Sequence, residues 1–443
     1  MKNLRAWSDH LRPKSQTPPQ QTRKTTSLLV SVSVTLASTL LTIIPIYYSS
    51  LRYYPSFLWT SSVSSSSSTS SSHGHGVSAG VPSAKQFDLF TGEWVPNPDA
   101  PYYTNRTCWT IHEEQNCMKY GRPDTGFMKW RWKPNDCELP IFNPYHFLEL
   151  VRGKSMAFVG DSLGRNHMES LLCLLSRVEN PVEVQLQRWK LTGYNFKIAH
   201  FWAPYLIKAE RADANDPSYT ALFHLYLDEL DPEWATKIVE FDYIIISAGH
   251  WFFRPTLFYE NGQLVGCFNC YRENVTDLRF SYSYRKALQT AFRAIYSSRN
   301  FKGLTFLRTF SPQHFENGSW NQGGNCVRTR PFTSNETRLE DINLQTHSIE
   351  TEEFKVAESE GRKRGLKFRL LDITFASLLR PDGHPSRYGH LAPHDNMTFV
   401  NDCAHWCLPG AIDAWNDLLL QMMKMEDGRS FDKTKSSWAF HFF

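Results

Sequence analysis

The chain lacks a large net charge, a long basic run beyond its amino terminus, and a glycine-rich nucleotide-binding loop. Its 443 residues carry a formal net charge of only +4, which gives no indication of nucleic-acid binding. The Gly-x-Gly-x-x-Gly pattern is absent. Aromatic residues are abundant, at 14% with 14 Trp. They fit either a large core or a sugar-binding cleft, because aromatic faces stack on the apolar faces of pyranose rings.

Charge is also missing from Leu28 to Tyr48, a run of 21 residues. A helix of this length spans roughly 30 Å, about the hydrocarbon core of a bilayer. Four basic residues between positions 12 and 24 precede the run and Arg52 follows it, so the positive-inside rule keeps the amino terminus in the cytosol. A cleaved signal peptide is the alternative, but the distance of the run from Met1 favours an uncleaved type II anchor.

Residues 61–83, which follow the anchor, are dominated by serine and have few apolar side chains to bury. The sequence thus predicts a cytosolic tail over residues 1–27, an anchor over 28–48, a flexible stem over 49–84 and a large luminal part beyond. This layout is typical of a Golgi-resident membrane enzyme. We therefore expect a single-pass protein of the Golgi membrane with its catalytic domain in the lumen.

No cysteine precedes the predicted anchor and nine follow it, which fits disulfides in an oxidising compartment. The odd count leaves at least one thiol unpaired or paired between chains. Cys267 and Cys270 form a CFNC pair, for which zinc is the alternative to disulfide bonding. No second pair of suitable spacing follows, so a local disulfide or two separate ones are favoured. N-glycosylation is predicted at five sequons, Asn105, Asn274, Asn317, Asn335 and Asn396.

Periodicity divides the luminal part into two regions. Residues 85–150 are rich in Trp, Pro and Cys without a sustained period, which predicts an irregular, disulfide-stapled lobe. Residues 151–430 alternate apolar runs with helical patterns, which predicts an α/β domain with a mainly parallel sheet sandwiched by helices, before a tail over 431–443. The predicted strands are Ser155–Gly160, Phe241–Gly249, Leu304–Ser311 and Phe368–Thr374. The predicted helices are 163–178, 284–297 and 411–423.

Ser162, in Gly-Asp-Ser-Leu, lies between the first predicted strand and the first helix. Ligands bind outside the carboxyl ends of parallel strands, and a helix amino terminus offers free amides to a developing negative charge. These features suit a nucleophile, while capping of the helix is the alternative role for this serine. A serine nucleophile also needs a base with an orienting group behind it. Asp402 and His405, three residues apart and just before the last helix, supply both.

Together GDSLGRNH and DCAHWCLPG resemble the trichome birefringence-like family of plant polysaccharide O-acetyltransferases, which is related to GDSL/SGNH esterases and lipases. The resemblance extends from about residue 87 to about residue 425. Further family blocks, in the same order, are GEWVPNPDAPYYTNRTCWTIHEEQNCMKYGRPDTGFMKWRWKP, RTFSPQHFENGSWNQGG and RPDGHPS. The resemblance implies an SGNH/GDSL-hydrolase-like fold behind a single transmembrane helix.

The resemblance implies Ser162 as nucleophile, His405 as general base and Asp402 as its orienting group. It also implies an oxyanion hole that uses the amides of Ser162 and Gly249. SGNH enzymes add a side-chain Asn that has no clean equivalent in this chain. Three candidates for the third donor stay open, namely Arg165, Asn166 or a group in block 308–324.

Disulfide pairs follow from the same resemblance. The family usually carries a cysteine where Phe87 stands here, and Cys137 is the expected partner of that missing cysteine. The remaining pairs implied are Cys108 with Cys173, Cys117 with Cys407 and Cys326 with Cys403.

Substrate contacts are expected from His250, Trp251, His314 and Trp406, with packing roles as the alternative. Asp382 and His384 suggest either a second acid–base pair or, preferably, a turn that buttresses the cleft. The stretch 250–270 resembles the subgroup that acts on xyloglucan, with xylan, mannan or pectin as alternative acceptors.

The resemblance implies acetyl transfer by double displacement through an acetyl-serine. A polysaccharide acetyl esterase with the same triad is the first alternative, and a glycan-binding protein with a decayed site is the second. No metal or tightly bound cofactor is required. An acetyl donor is required, with acetyl-CoA as one candidate, and proteins that supply the donor in the Golgi are candidate partners.

Overall fold

The computed structural model describes residues 88–389, apart from 217 and 219, and residues 401–428. The predicted cytosolic tail, anchor, stem and carboxyl-terminal tail lie outside these residues, as does the sequon at Asn396. In the part of the chain so described, no helix combines the length and the apolar character needed to cross a membrane.

Two sets of elements build the described part. The helices are α1 (Pro144–Leu150), α2 (Ser162–Leu175), α3 (Pro232–Ala235), α4 (Arg279–Ser297), α5 (Asp341–Arg362), α6 (Thr374–Leu378) and α7 (Asp413–Glu426). The strands are β1 (Gly92–Pro96), β2 (Trp130–Pro134), β3 (Ser155–Gly160), β4 (Val182–Gln185), β5 (Arg188–Leu191), β6 (Phe196–Trp202), β7 (Ile207–Arg211), β8 (Phe223–Leu230), β9 (Tyr243–Ser247), β10 (Thr256–Glu260), β11 (Gln263–Phe268), β12 (Leu304–Arg308) and β13 (Lys367–Leu371).

The central sheet has seven strands in the order β13-β12-β9-β3-β6-β5-β4. The five strands from β13 to β6 are parallel, and at one edge β5 pairs antiparallel with β6 and β4 pairs antiparallel with β5. The predicted α/β class with a mainly parallel sheet is therefore confirmed. The carboxyl ends of β3, β9 and β12 meet at one edge of this sheet, where parallel α/β folds place their ligand sites.

Alternating side chains of the central strands build two cores. Met156 and Phe158 of β3 pack into a core that includes side chains of α1, α2 and α7. Ala157 and Val159 pack into the other core, which includes side chains of α4 and α5. This period of two follows from the pleat of the strand, and the continuous apolar run of β3 reflects burial on both faces.

Two features of the domain are missing from the sequence prediction. A second sheet, in the order β11-β10-β8-β7, packs beside α4. The sequence also does not predict the 22-residue helix α5, because this segment is mostly polar and buries only a narrow apolar face that includes Ile349, Phe354 and Ala357. Tertiary packing stabilises such a helix more than its own pattern reveals.

The lobe after residue 85 contains more regular structure than predicted. Strands β1 and β2 pair antiparallel, and Trp132 is fully buried against Trp94 and Phe375. Disulfides join the three pairs implied by the resemblance, and a local one joins Cys267 to Cys270. The Cys137 thiol is free.

Candidate active site

The turn from β3 into α2 explains the position of Ser162. A Cβ on Gly160 would lie 1.6 Å from the carbonyl oxygen of Ser247 on β9, so only glycine permits this approach of the two strand ends. Asp161 then caps the helix, with its side chain accepting from the Leu163 amide at 3.0 Å. Because Asp161 takes the capping role, Ser162 is the first helical residue and its half-buried hydroxyl faces another partner.

That partner is His405. Its Nε2 lies 2.7 Å from Ser162 Oγ, and its Nδ1 lies 2.7 Å from Asp402 Oδ2. The second oxygen of Asp402 accepts from the amides of His405 at 2.9 Å and Ala404 at 3.1 Å. The three side chains therefore form a continuous Ser–His–Asp array at the carboxyl edge of the sheet, the arrangement that activates a serine nucleophile.

Charge within the array is arranged to keep Asp402 ionised. Burial would raise the pKa of Asp402, but the adjacent His405 ring and the two amides that donate to the carboxylate outweigh it and lower this pKa. Burial lowers the pKa of His405, whereas the Asp402 carboxylate raises it, and the net shift is upward. His405 thus gains basicity from Asp402, a property that would suit a general base.

Residues 401–407 form neither a helix nor a strand, and they are held by contacts with distant parts of the chain. Disulfides tie Cys403 to Cys326 and Cys407 to Cys117. The backbone of Asp402 exchanges hydrogen bonds with Ser386 at 2.7 and 2.9 Å. These contacts hold the segment in place, and the hydrogen bond between His405 and Ser162 sets it at the amino end of α2.

Asn166 is corrected from a candidate oxyanion donor to a structural residue. It is fully buried, its Nδ2 donates to the Trp406 carbonyl at 3.2 Å, and its Oδ1 accepts from the Trp406 amide at 2.8 Å. Both ends of the side chain are therefore used to hold the residue after His405. Trp406 itself is 0% exposed, so its expected substrate contact is wrong. Its indole donates to Ser311 Oγ at 3.0 Å and packs in the core.

His314 supports the His405 segment, and its expected substrate contact stays a prediction because the residue is only half-buried. Its ring nitrogens lie 2.7 Å from His384 Nε2 and 2.9 Å from the Leu378 carbonyl. His384 in turn places its Nδ1 2.6 Å from the His405 carbonyl. Burial lowers the pKa of His314 to about 4, so a neutral ring is favoured.

The RPDGHPS block forms the predicted buttress. Arg380 and Asp382 make a fully buried ion pair at 2.8 Å, and Arg122 donates to the carbonyls of Asp382 and His384 at 2.6 and 2.7 Å. Asp382 is 1% exposed, which excludes contact with a substrate in this conformation. The block therefore supports the His405 segment from behind.

His250, Trp251 and Gly249 follow β9 and lie at the same sheet edge. The ring of His250 stacks on Phe310 at 4.4 Å, and its buried Nε2 finds no hydrogen-bond partner within residues 88–389 and 401–428. Burial lowers the pKa of His250 to about 3, which keeps the ring neutral. A Cβ on Gly249 would lie 2.6 Å from the Phe310 ring, so the residue must be glycine. Its amide stays a candidate oxyanion donor.

Residues of the lobe also approach the triad, which sequence reasoning missed. His112 and Glu114 lie beside Arg165 of α2, with Glu114 Oε2 3.9 Å from Arg165 Nη2. Arg165 also approaches Glu169 Oε1 at 3.6 Å. Burial and the Arg165 charge lower the pKa of His112, and the charge of His405 adds to this shift. His112 and Glu114 lie within the family block 92–134, but nothing in that block indicates that they approach the triad, because their proximity to it arises from tertiary packing.

Comparison with known proteins agrees with the class that this fold and this site define, an α/β enzyme of acyl transfer. The family model described as the GDSL/SGNH-like acyl-esterase family found in Pmr5 and Cas1p matches residues 139–422. The PMR5 N-terminal domain model matches residues 85–138.

Curated relatives narrow the assignment. The protein trichome birefringence-like 19 of Arabidopsis thaliana is 53% identical over 408 residues, which cover 90% of this chain and 94% of that protein. The xyloglucan O-acetyltransferase 4 of Populus trichocarpa is 44% identical over 347 residues, which cover 77% of this chain and 81% of that protein. The chain therefore belongs to the trichome birefringence-like family of GDSL/SGNH-like acyl-esterase proteins. The predicted enzyme class, acyltransferase, is confirmed.

Proposed function

We propose that this protein transfers acetyl groups to hydroxyls of a cell-wall polysaccharide, most specifically xyloglucan, through an acetyl-serine on Ser162. The observation that carries the proposal is the unbroken array from Ser162 Oγ through His405 to Asp402, with 2.7 Å at each step. A decayed, purely binding protein would have no need to maintain these three side chains in one hydrogen-bonded line.

In the first half-reaction, His405 Nε2 takes the proton of Ser162 as Oγ attacks the acetyl carbonyl of the donor. The Asp402 carboxylate stabilises the imidazolium that forms. The oxyanion is held by the Ser162 amide at the positive end of α2 and by the Gly249 amide. When the tetrahedral intermediate collapses, the donor's leaving group departs with the proton from His405, and acetyl-serine remains.

In the second half-reaction, a sugar hydroxyl of the acceptor replaces the leaving group. His405, now neutral, removes the hydroxyl proton while the sugar oxygen attacks the acetyl-serine carbonyl. The same amides hold the second oxyanion, and its collapse releases the acetylated sugar. The proton then returns from His405 to Ser162 Oγ, so the cycle consumes no other group of the protein.

Three observations support the choice of acceptor and compartment. Relatives named xyloglucan O-acetyltransferase 3 and 4 are 43% and 44% identical to the chain. The stretch 250–270, which resembles the xyloglucan subgroup, leaves the catalytic edge through Gly249 and forms β10 and β11. The disulfides fit the oxidising lumen of the secretory pathway. Anchoring in the Golgi membrane, glycosylation and a donor such as acetyl-CoA are parts of the same proposal.

Incubation of the purified full-length protein with an acetyl donor and xyloglucan, xylan or mannan oligosaccharides tests the proposal. We expect products heavier by one acetyl group with xyloglucan, and an acetylated peptide containing Ser162 when the acceptor is omitted. Mass spectrometry measures both. Release of acetate from acetylated glycan without transfer to any acceptor would instead identify an esterase.

A further inference from the structure

Trp202 and Trp251 lie at the edge of the sheet that carries Ser162, and neither takes part in the mechanism proposed above. Trp202 ends β6, and the parallel register pairs it with Gly160, the last residue of β3. Ser162 begins α2 two residues later. The Ala203 amide also donates to the Gly160 carbonyl at 2.8 Å, so β6 and β3 end side by side. Trp202 is thereby fixed next to the turn that carries the nucleophile.

The face of the sheet on which Trp202 lies is the face that carries α2. Side chains alternate along a strand, so Trp202 shares its face with His200. His200 Nε2 is 3.2 Å from the Asp161 carbonyl, and the same nitrogen is 3.6 Å from the position of a Cβ on Gly164. The ring two residues before Trp202 thus touches the first turn of α2, and Trp202 lies just beyond it toward the open edge.

Trp202 is both exposed and held in place. Trp202 is 47% exposed, although tryptophan side chains are on average highly buried in folded proteins. Trp251 meets it edge-on, with ring centroids 5.3 Å apart and planes at 84°. Trp251 is itself held by the buried Tyr205 ring, with centroids 5.8 Å apart, and by the Arg254 guanidinium carbon, 3.6 Å from the centroid of the indole ring. A supported, exposed indole is a binding surface prepared before the ligand arrives.

The chemistry of this surface suits a neutral sugar ring. An indole presents a flat, polarisable face, and the axial C–H groups of a pyranose form a flat apolar face of similar size. We propose that Trp202, backed by Trp251, is a stacking subsite for a pyranose ring of the acceptor, next to the hydroxyl that receives the acetyl group. The inference rests on the proposed function and adds to it the place where the acceptor is bound.

Replacement of Trp202 by alanine in the full-length protein tests the subsite. We expect the KM for xyloglucan oligosaccharides to rise roughly five- to tenfold, because one aromatic stacking contact is lost. Trp202→Phe should bring this KM most of the way back to that of the parent protein, since phenylalanine keeps an aromatic face. The rate of Ser162 acetylation without acceptor should stay that of the parent protein, because no part of the triad changes.

Trp109→Ala is the matched control. Trp109 is 60% exposed and also pairs with a second tryptophan, Trp189, at 5.3 Å. Its neighbour Cys108 is bonded to Cys173, which lies eleven residues beyond Ser162 along α2, about 16 Å away at the helical rise. This control should leave the acceptor KM unchanged.

An acceptor KM for Trp202→Ala equal to that of the parent would overturn the subsite. So would an equal rise in Trp109→Ala, or a slower acetylation of Ser162 in Trp202→Ala, which would assign Trp202 to the nucleophile or the donor. Failure of the parent protein to acetylate Ser162 or any glycan would contradict the proposed function itself. The two failures are therefore distinguishable.

Discussion

The two halves of the Ser162–His405–Asp402 array, which we propose to be catalytic, are positioned in different ways. Ser162 lies at the junction of β3 and α2, and the elements on either side of it are adjacent in sequence. Asp402 and His405 lie in a segment without helix or strand, held by residues 326, 117, 166 and 386. The proposed nucleophile is thus placed by local structure, and the proposed base is placed by contacts with remote parts of the chain.

This difference predicts where mutations act. A change in a remote tie should displace the base and leave the nucleophile in place, so that activity falls without unfolding of the strand–helix junction. A change at the junction should remove the nucleophile and leave the base segment intact. The following predictions separate the two cases.

The largest effect is expected from Ser162→Ala. Transfer should fall by about four orders of magnitude or more, because the hydroxyl proposed to carry the acetyl group is lost. The comparison is Ser176→Ala, at the other end of α2, where the hydroxyl only donates to the Cys173 carbonyl at 2.7 Å. Acetyl transfer measured by mass spectrometry distinguishes them, and activity retained in Ser162→Ala would refute the array as the catalytic centre.

A smaller but specific effect is expected from Asn166→Ala. The change leaves the amide and carbonyl of Trp406 without their buried partner, which costs about 1–3 kcal/mol per unsatisfied group. Because the displaced residue follows His405, kcat should fall roughly 10- to 100-fold.

Asn416→Ala supplies the matched control for Asn166. Asn416 is also 0% exposed, and its Nδ2 donates to Ser170 Oγ at 2.9 Å in the contact between α2 and α7. The Asn416→Ala variant should unfold at a lower temperature than the parent protein, without a matching loss of kcat. Equal losses of kcat in the two variants would show that Asn166 contributes only general packing.

The same contrast decides how much the sequence could reveal. The sequence predicts the strand Ser155–Gly160 with the bounds that the structure shows, since a continuous apolar run followed by a helical pattern is a local signal. The other predicted strands extended too far, and the residues beyond them, such as Gly249 and Phe310, leave the sheet to form the site.

The remote contacts that hold residues 401–407 have no comparable local signal in the sequence. Asn166 and Trp406 are separated by 240 positions, and nothing in the first turn of α2 identifies the partner of that amide. His112 reaches the site only because the lobe packs on α2. The pattern around Asp402 and His405 did indicate a rigid loop, since two cysteines flank His405. Which segments would hold that loop depended on the resemblance for the disulfides and on the structure for the hydrogen bonds.

The smallest and most diagnostic effect is expected in the pH dependence. His405 must be neutral to accept the Ser162 proton, and Asp402 raises the pKa of His405 above the ordinary histidine value. Acetylation of Ser162 should therefore lose rate as pH falls, with a midpoint above that ordinary value. In Asp402→Asn the negative charge that raises the pKa of His405 is removed, while burial still lowers this pKa. The midpoint of the residual activity should therefore move to lower pH.

The measurement is the single-turnover acetylation rate of Ser162 as a function of pH in the parent protein and in Asp402→Asn. A midpoint that moves to higher pH, or does not move, would contradict the assignment of Asp402 as the charge behind His405. Asn166→Ala gives the complementary result if the remote tie only positions the base. Its rate should fall while its midpoint stays near that of the parent, because the distance between His405 and Asp402 is set within their own segment.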